Sequence, residues 1–271
     1  MVKSRIACFL TCGYTEAGAM QAFLRKINDN YDYKQYLPNK TIKKKGMPRT
    51  ISDKVSGLTG EALLRKVYEI IEKHPKEICQ CSAIIIEDDL DGNFNDIDER
   101  NSSIREKICS IIKQDIPVFI LYASPEIEGW FIADWDNGFG YIYNASECVK
   151  DIESNAKTFF THHLRQYINE YILKEYKDDI EHYGYFDSQY YKLSDELIKA
   201  IQNDVKGYIL TLPNTNQHFS KQIEASRDLY YSKKIHGDRM LRKLDPAGVA
   251  SKCRYFFQPV YEEIRRFECT R

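Results

Sequence analysis

"IIIEDDLDGNF", residues 84 to 94, ends a fully apolar run by crowding carboxylates together. The isoleucines read as part of a buried strand over 82–87. Glu87, Asp88, Asp89 and Asp91 follow at once, with Asp96 close behind. Carboxylates this near repel one another unless positive charge sits among them. The stretch is therefore either a cation site or a solvated loop, and the strand's place in the fold chooses between the two.

Upstream, residues 60–74 put Leu63, Leu64, Val67, Ile70 and Ile71 on one helical stripe, with Thr59 as the N-cap. Before that come a short buried strand (4–12), a helix (15–27) with Thr15 as a plausible cap, and an edge strand (31–37). Downstream, 101–114 form a helix whose face carries Ile104, Ile108, Ile111 and Ile112, and VFILYAS after Pro117 is a fourth strand. Strand and helix thus alternate through the first 125 residues. The pattern predicts an α/β fold with a parallel-dominated sheet and helices on both faces. Such sheets bind ligands at the carboxyl ends of their strands. The acids would point into that crevice, which favours the cation over the loop.

The pattern changes near residue 140. Residues 156–182, 193–206, 222–244 and 246–268 read as helices, the last opened by Pro246. This divides the chain into an α/β domain (1–140) and a mainly helical C-terminal half (141–271) packed on it. Of the 20 tyrosines, many fall between 141 and 191, where packing of amphipathic helices is a commoner role than base stacking. No run of about 18 apolar residues exists, so no membrane span is expected. The start, MVKSRIACFLTC, reads as a first strand rather than a signal peptide. Eight cysteines without a C-x-x-C pair read as reduced thiols in a cytoplasmic protein.

The net charge of -1 hides a segregation: +7 over 1–60, -10 over 61–160, -3 over 161–220 and +5 over 221–271. Basic ends around an acidic middle suit a central cation with polyanions at its rim, although solvated helix faces give the same counts.

Four constellations could carry chemistry. Asp89-Leu90-Asp91 presents two carboxylates, a donor type that suits Mg²⁺, and Gly92 allows a sharp turn. At the exit of the first strand, Glu16 opens a helix; it is a metal ligand or general base, or simply complements the helix N-terminus. At the exit of the fourth strand, Glu126 and Glu128 flank an isoleucine, as site acids or as a hydrogen-bonded corner anchored by Trp130. Near the end, Lys233, Lys234, His236, Arg239, Arg242 and Lys243 cluster about Gly237. Lys233 there could neutralise charge developing on a transferred phosphate. Lys43, Lys44, Lys45 and Arg49 lie in a Gly/Pro-punctuated loop and, with Lys234 and Arg239, are candidate contacts to a nucleic-acid backbone. The six histidines show no zinc spacing, and no glycine-rich phosphate loop is present.

Four pieces together resemble a Toprim-like family: "TCGYTEAGAM", "IIIEDDLDGN", "ASPEIEGWFIADW" and "YYSKKIHGDRMLRKLDPAGVASKCRYFF". Within it they are similar to an uncharacterised bacterial group often encoded beside ATPases of the overcoming-lysogenization-defect and ABC types. Toprim domains place an acid after the first strand and a D-x-D after the third, and bind Mg²⁺ to cleave, rejoin or prime nucleic-acid strands. Asp89 and Asp91 match the D-x-D. Where the family has Glu-Gly, this chain reads Cys12-Gly13, with Glu16 three residues on. The resemblance implies a Toprim-like, Mg²⁺- or Mn²⁺-dependent nuclease that acts on DNA with an ATPase partner in antiviral defence. The alternative it leaves is a non-catalytic binding or assembly module of such a complex.

Overall fold

In a computed structural model of the chain, residues 3–11, 15–38, 58–145, 162–201 and 231–268 are described, apart from the side chains of 16, 17 and 143–145. The first half alternates β1 (Ser4–Phe9), α1 (Glu16–Ile27), β2 (Tyr31–Leu37), α2 (Gly60–Lys73), α3 (Pro75–Ile78), β3 (Ala83–Asp89), α4 (Ile97–Ile112) and β4 (Val118–Ala123). The four strands form one all-parallel sheet in the order β2-β1-β3-β4. The expected α/β class holds, and β2 is an edge strand as its sequence suggested.

Side chains alternate across each strand, so each strand feeds two cores. Ile6, Cys8, Ile85 and Leu121 meet Ala19, Met20, Phe23 and Leu24 of α1 on one face. Ala7, Phe9, Ile84, Ile86 and Ile120 meet the stripes of α2 and α4 on the other.

The remaining elements cover the α1 face. They are α5 (Ile127–Ala133), α6 (Phe139–Ala145), a helical run from 162 that widens into a π-helical turn (Ile168–Leu173), and two 3₁₀ turns (Lys174–Asp178, Ile180–His182). A small antiparallel hairpin of β5 (Tyr185–Phe186) and β6 (Gln189–Tyr190) leads into α7 (Leu193–Ala200). A π turn (Lys233–Gly237) then opens α8 (Asp238–Lys243), followed by α9 (Pro246–Lys252) and α10 (Phe257–Arg266). Fully buried Trp130 of α5 stacks on Phe23 at 5.3 Å and meets Phe257 edge-on at 4.8 Å, which joins the helical region to the sheet.

Several local expectations are corrected. Thr15 and Thr59 precede α1 and α2 but make no side-chain cap; the first N–H of α2, from Gly60, goes instead to Asp88 Oδ1 at 2.8 Å. The stretch 156–182 is not one helix where described, because Lys174 turns to φ +52° and 3₁₀ geometry follows. The stretch 246–268 is two helices. The break at 254–256 is held by buried Glu181, whose carboxylate accepts the backbone N–H groups of Tyr255, Phe256 and Phe257, the latter two at 3.0 and 2.9 Å. Among the described residues, no helix is long and apolar enough to cross a membrane.

Candidate functional site

The site forms because β3 and β4 end side by side. Asp89 pairs with Ala123, and the chain beyond stays in register: Leu90 N–H donates to Ala123 O and Asp91 N–H to Pro125 O, at 3.1 and 2.9 Å. The D-x-D turn therefore runs along Ser124-Pro125-Glu126. Asp91 adopts φ +47° and Gly92 φ +80°, left-handed geometry that aspartate tolerates and glycine favours.

The crowded acids separate by face. Asp88 turns toward α2 and α4, where it accepts the Gly60 N–H and pairs with Arg100 at 2.7 Å. Burial raises its pKa against those two partners. Glu87 points the other way and accepts both the backbone N–H and the hydroxyl of Thr11 at 2.9 Å, bridging β3 to the end of β1. Both acids are structural ties.

Asp91, Glu126 and Glu128 gather around two lysines, and Asp89 is near enough for its charge to act on Lys233 and Tyr190; the space these acids frame is the candidate crevice. Lys192, just before α7, lies 3.0 Å from Asp91 and 3.6 Å from Glu126. Lys233 lies 3.0 Å from Glu126 and 3.1 Å from Glu128. Both glutamates are completely buried. Glu126 also accepts the backbone N–H and hydroxyl of Ser194 at 3.2 and 2.8 Å, and the Tyr231 hydroxyl donates to Glu128.

Electrostatics differentiate the groups. Burial pushes Glu126 up, but Lys233, Lys192 and Ser194 outweigh it and hold the carboxyl below the usual range. For Glu128, burial dominates, the charge of Glu126 adds to it, and the pKa is raised. Burial works against the charge of Lys233, yet Glu128, Glu126 and Asp89 overcome it and raise its pKa; Lys192 is raised likewise by Glu126 and Asp91. The Tyr190 hydroxyl is buried here without a hydrogen-bond partner among the described residues, and its pKa is raised by burial and by Glu126, Asp91 and Asp89.

Of the residues singled out in the sequence, the crevice therefore gathers Asp89, Asp91, Glu128 and Lys233. Lys234 and Arg239 are exposed on the surface. Arg242 is held by Asp238 at 2.7 Å and donates to Gly18 O at 2.6 Å, which packs α8 on α1. Lys43, Lys44, Lys45, Arg49 and the Glu16 side chain lie outside the described residues. Glu126 belongs to the site as much as Glu128 does. Lys192, Ser194, Tyr190 and Tyr231 carry no sequence signal of it, except that Tyr231 stands two residues before Lys233.

All four acids supply oxygen donors, which suit a hard divalent ion. With all six charged side chains ionised, the crevice carries two surplus negative charges. Against this, two ammonium groups already touch Asp91, Glu126 and Glu128. Among the described residues, no group of three or more His, Cys, Asp or Glu side chains stands ready to hold a metal. The oxygen donors are of the kind such an ion takes, and as the side chains stand two ammonium groups occupy them. In comparisons with known proteins, the chain matches no family model, no curated protein and no solved structure.

Proposed function

We propose that this crevice hydrolyses phosphodiester bonds of nucleic acid with the help of Mg²⁺ or Mn²⁺. The observation that carries the reading is the convergence of acids from two adjacent strand ends with Lys233, which reaches Glu126 from 107 residues away. Asp89, Asp91 and Glu128 would hold the ion, which when bound lowers the pKa of water and polarises the phosphate. Lys233 and Lys192 stay ammonium ions because their pKa values are raised. Turned toward a phosphate, they neutralise charge that develops on its oxygens. Glu126 and Ser194 anchor the lysines' resting position. The resemblance extends the proposal to DNA as substrate, an ATPase partner, a cytoplasmic location and antiviral defence.

The test is nicking of plasmid and single-stranded DNA with Mg²⁺ or Mn²⁺, alone and with an ATPase encoded beside it. Loss of cleavage in Asp89→Ala/Asp91→Ala and in Lys233→Met is expected. Cleavage that survives the double substitution would sink the reading. A second reading, a non-catalytic binding or assembly module, is favoured by the lysines that already fill the crevice. Calorimetry separates the two, since that module needs no Mg²⁺ affinity at neutral pH.

A further inference from the structure

We infer that the surface beside the crevice binds single-stranded nucleic acid and leads it to the D-x-D turn. This inference deepens the proposed reaction and rests on it for what happens after binding.

The first observation is two groups of rings at the turn, one over Gly92 and one that begins at Phe94. Gly92 is covered by aromatic rings: a Cβ there would lie 2.6 Å from Tyr190 and 3.2 Å from Tyr185. Two residues on, Phe94 stacks on Phe256 at 5.9 Å with 11° between planes, and His182 meets it edge-on at 5.4 Å. His182 in turn meets Tyr255 at 4.7 Å. Each group has one open ring: Tyr255 is 60% and Tyr185 44% exposed. Such large apolar surface is held in water at a cost, and its inner members fix the orientation of the outer rings.

The second observation is independent. The segments that supply His182 and Tyr255 also wall a cavity of about 160 Å³, into which Arg165, Lys177 and Lys252 face with only Asp178 opposing them. Arg165 is held over the Trp135 ring at 5.8 Å. Among the described residues, none of these three cations is in an ion pair. A pocket with surplus positive charge suits one phosphate group. Beside it, planar rings suit unstacked bases, whose faces are accessible in a single strand and hidden in a duplex. Charged grooves that follow a backbone, combined with aromatic stacking, are how single strands are bound without sequence preference.

The test is fluorescence anisotropy of a short labelled oligothymidylate in EDTA, so that no outcome depends on the crevice's chemistry. Duplex DNA and polyglutamate serve as competing ligands. The single strand should bind more tightly than either. Tyr255→Ala should weaken it about 5- to 150-fold, the range for losing one base–aromatic stack, while Tyr255→Phe should bind like the parent. Tyr255 is exposed enough that neither change threatens folding, and melting curves check this. Lys177→Glu with Lys252→Glu should flatten the slope of log affinity against log salt by about 0.7 for each phosphate no longer neutralised. Equal binding of duplex or polyglutamate, or unchanged affinity in Tyr255→Ala, would overturn the inference. If Tyr255→Ala binds normally while metal-dependent cleavage is intact, this surface falls alone. If single strands bind as described but no metal supports cleavage, the hydrolase reading falls and the surface stands.

Discussion

Replacing Lys233 with methionine tests the electrostatics of the crevice directly. The ammonium lies 3.0 and 3.1 Å from two carboxylates that have no solvent exposure. Methionine keeps an unbranched stem as far as the ε position and removes the ammonium group, with its charge and its hydrogen bond to Glu126. Stripping one partner from a buried pair costs about 3–5 kcal/mol, because the other charge is left uncompensated. Two features reduce that figure. The Lys233 side chain is 35% exposed, so solvent screens part of its attraction, and Lys192 remains 3.6 Å from Glu126. We expect a loss of about 2–4 kcal/mol in EDTA, read by urea unfolding, or roughly 5–15 °C in melting temperature.

The loss should depend on pH. Without Lys233, burial and mutual repulsion drive both carboxyl pKa values up, above their unfolded value. Groups of that kind favour the fold below the unfolded pKa, and this favour is lost as pH rises through the folded one. The variant should therefore be close to the parent at about pH 5 and furthest from it at about pH 8. A deficit below about 1 kcal/mol, or one of equal size at both pH values, would refute the account of Lys233 as the counter-charge of a buried acid pair.

Asp91→Asn keeps the left-handed turn, which asparagine also tolerates, and should abolish stabilisation by Mg²⁺; the parent should gain about 2.7 kcal/mol at a hundredfold excess over Kd, and a melting curve of the variant that still rises with Mg²⁺ counts against a D-x-D site. Gly92→Ala combines a strained φ with a clash on Tyr190 and should cost about 2–3 kcal/mol while loosening the hairpin; unchanged amide exchange over 185–190 would show that the rings simply yield. Glu181→Ala leaves three helix-start N–H groups without their acceptor and should cost about 3–5 kcal/mol, with faster exchange at 255–257; unaltered protection there would remove its role as the clamp of α10.

The elements whose signal is local were legible. Ile84–Ile86 and VFILY are uninterrupted apolar runs, and the stripes of α2 and α4 repeat at helical spacing, so the alternating fold follows from them. The D-x-D and the Glu126/Glu128 pair were visible because they stand where such strands must end. What was hidden is carried by partners far apart in the chain. Lys192 meets Asp91 across 101 residues, and no periodicity marks a lysine before a helix as the counter-charge of a distant turn. The cap of α2 comes from Asp88 rather than from the adjacent Thr59 for the same reason. The breaks at Lys174 and at 254–256 lack Gly or Pro; the second exists because Glu181, more than 70 residues away, satisfies the N–H groups it exposes.

The lysines within the acids also bear on how a phosphate could ever enter. Counting Asp89, Asp91, Glu126 and Glu128 against Lys192 and Lys233, the crevice is doubly negative when all six are ionised. A phosphodiester adds another negative charge beside two fully buried glutamates, where repulsion is weakly screened. A divalent ion alone would instead bring the total to neutrality, but only by competing with two ammonium groups already in contact with its donors. Taken together, the two ligands remove each other's obstacle: the ion offsets the phosphate's charge, and the phosphate offers the displaced lysines new oxygen partners. Their binding must then be coupled, and by linkage the coupling is reciprocal. On the proposed reading, lysines that close the crevice in the free chain and a site that opens on joint binding are two states of one arrangement, whose surplus of two negative charges falls to one when ion and phosphodiester are both present.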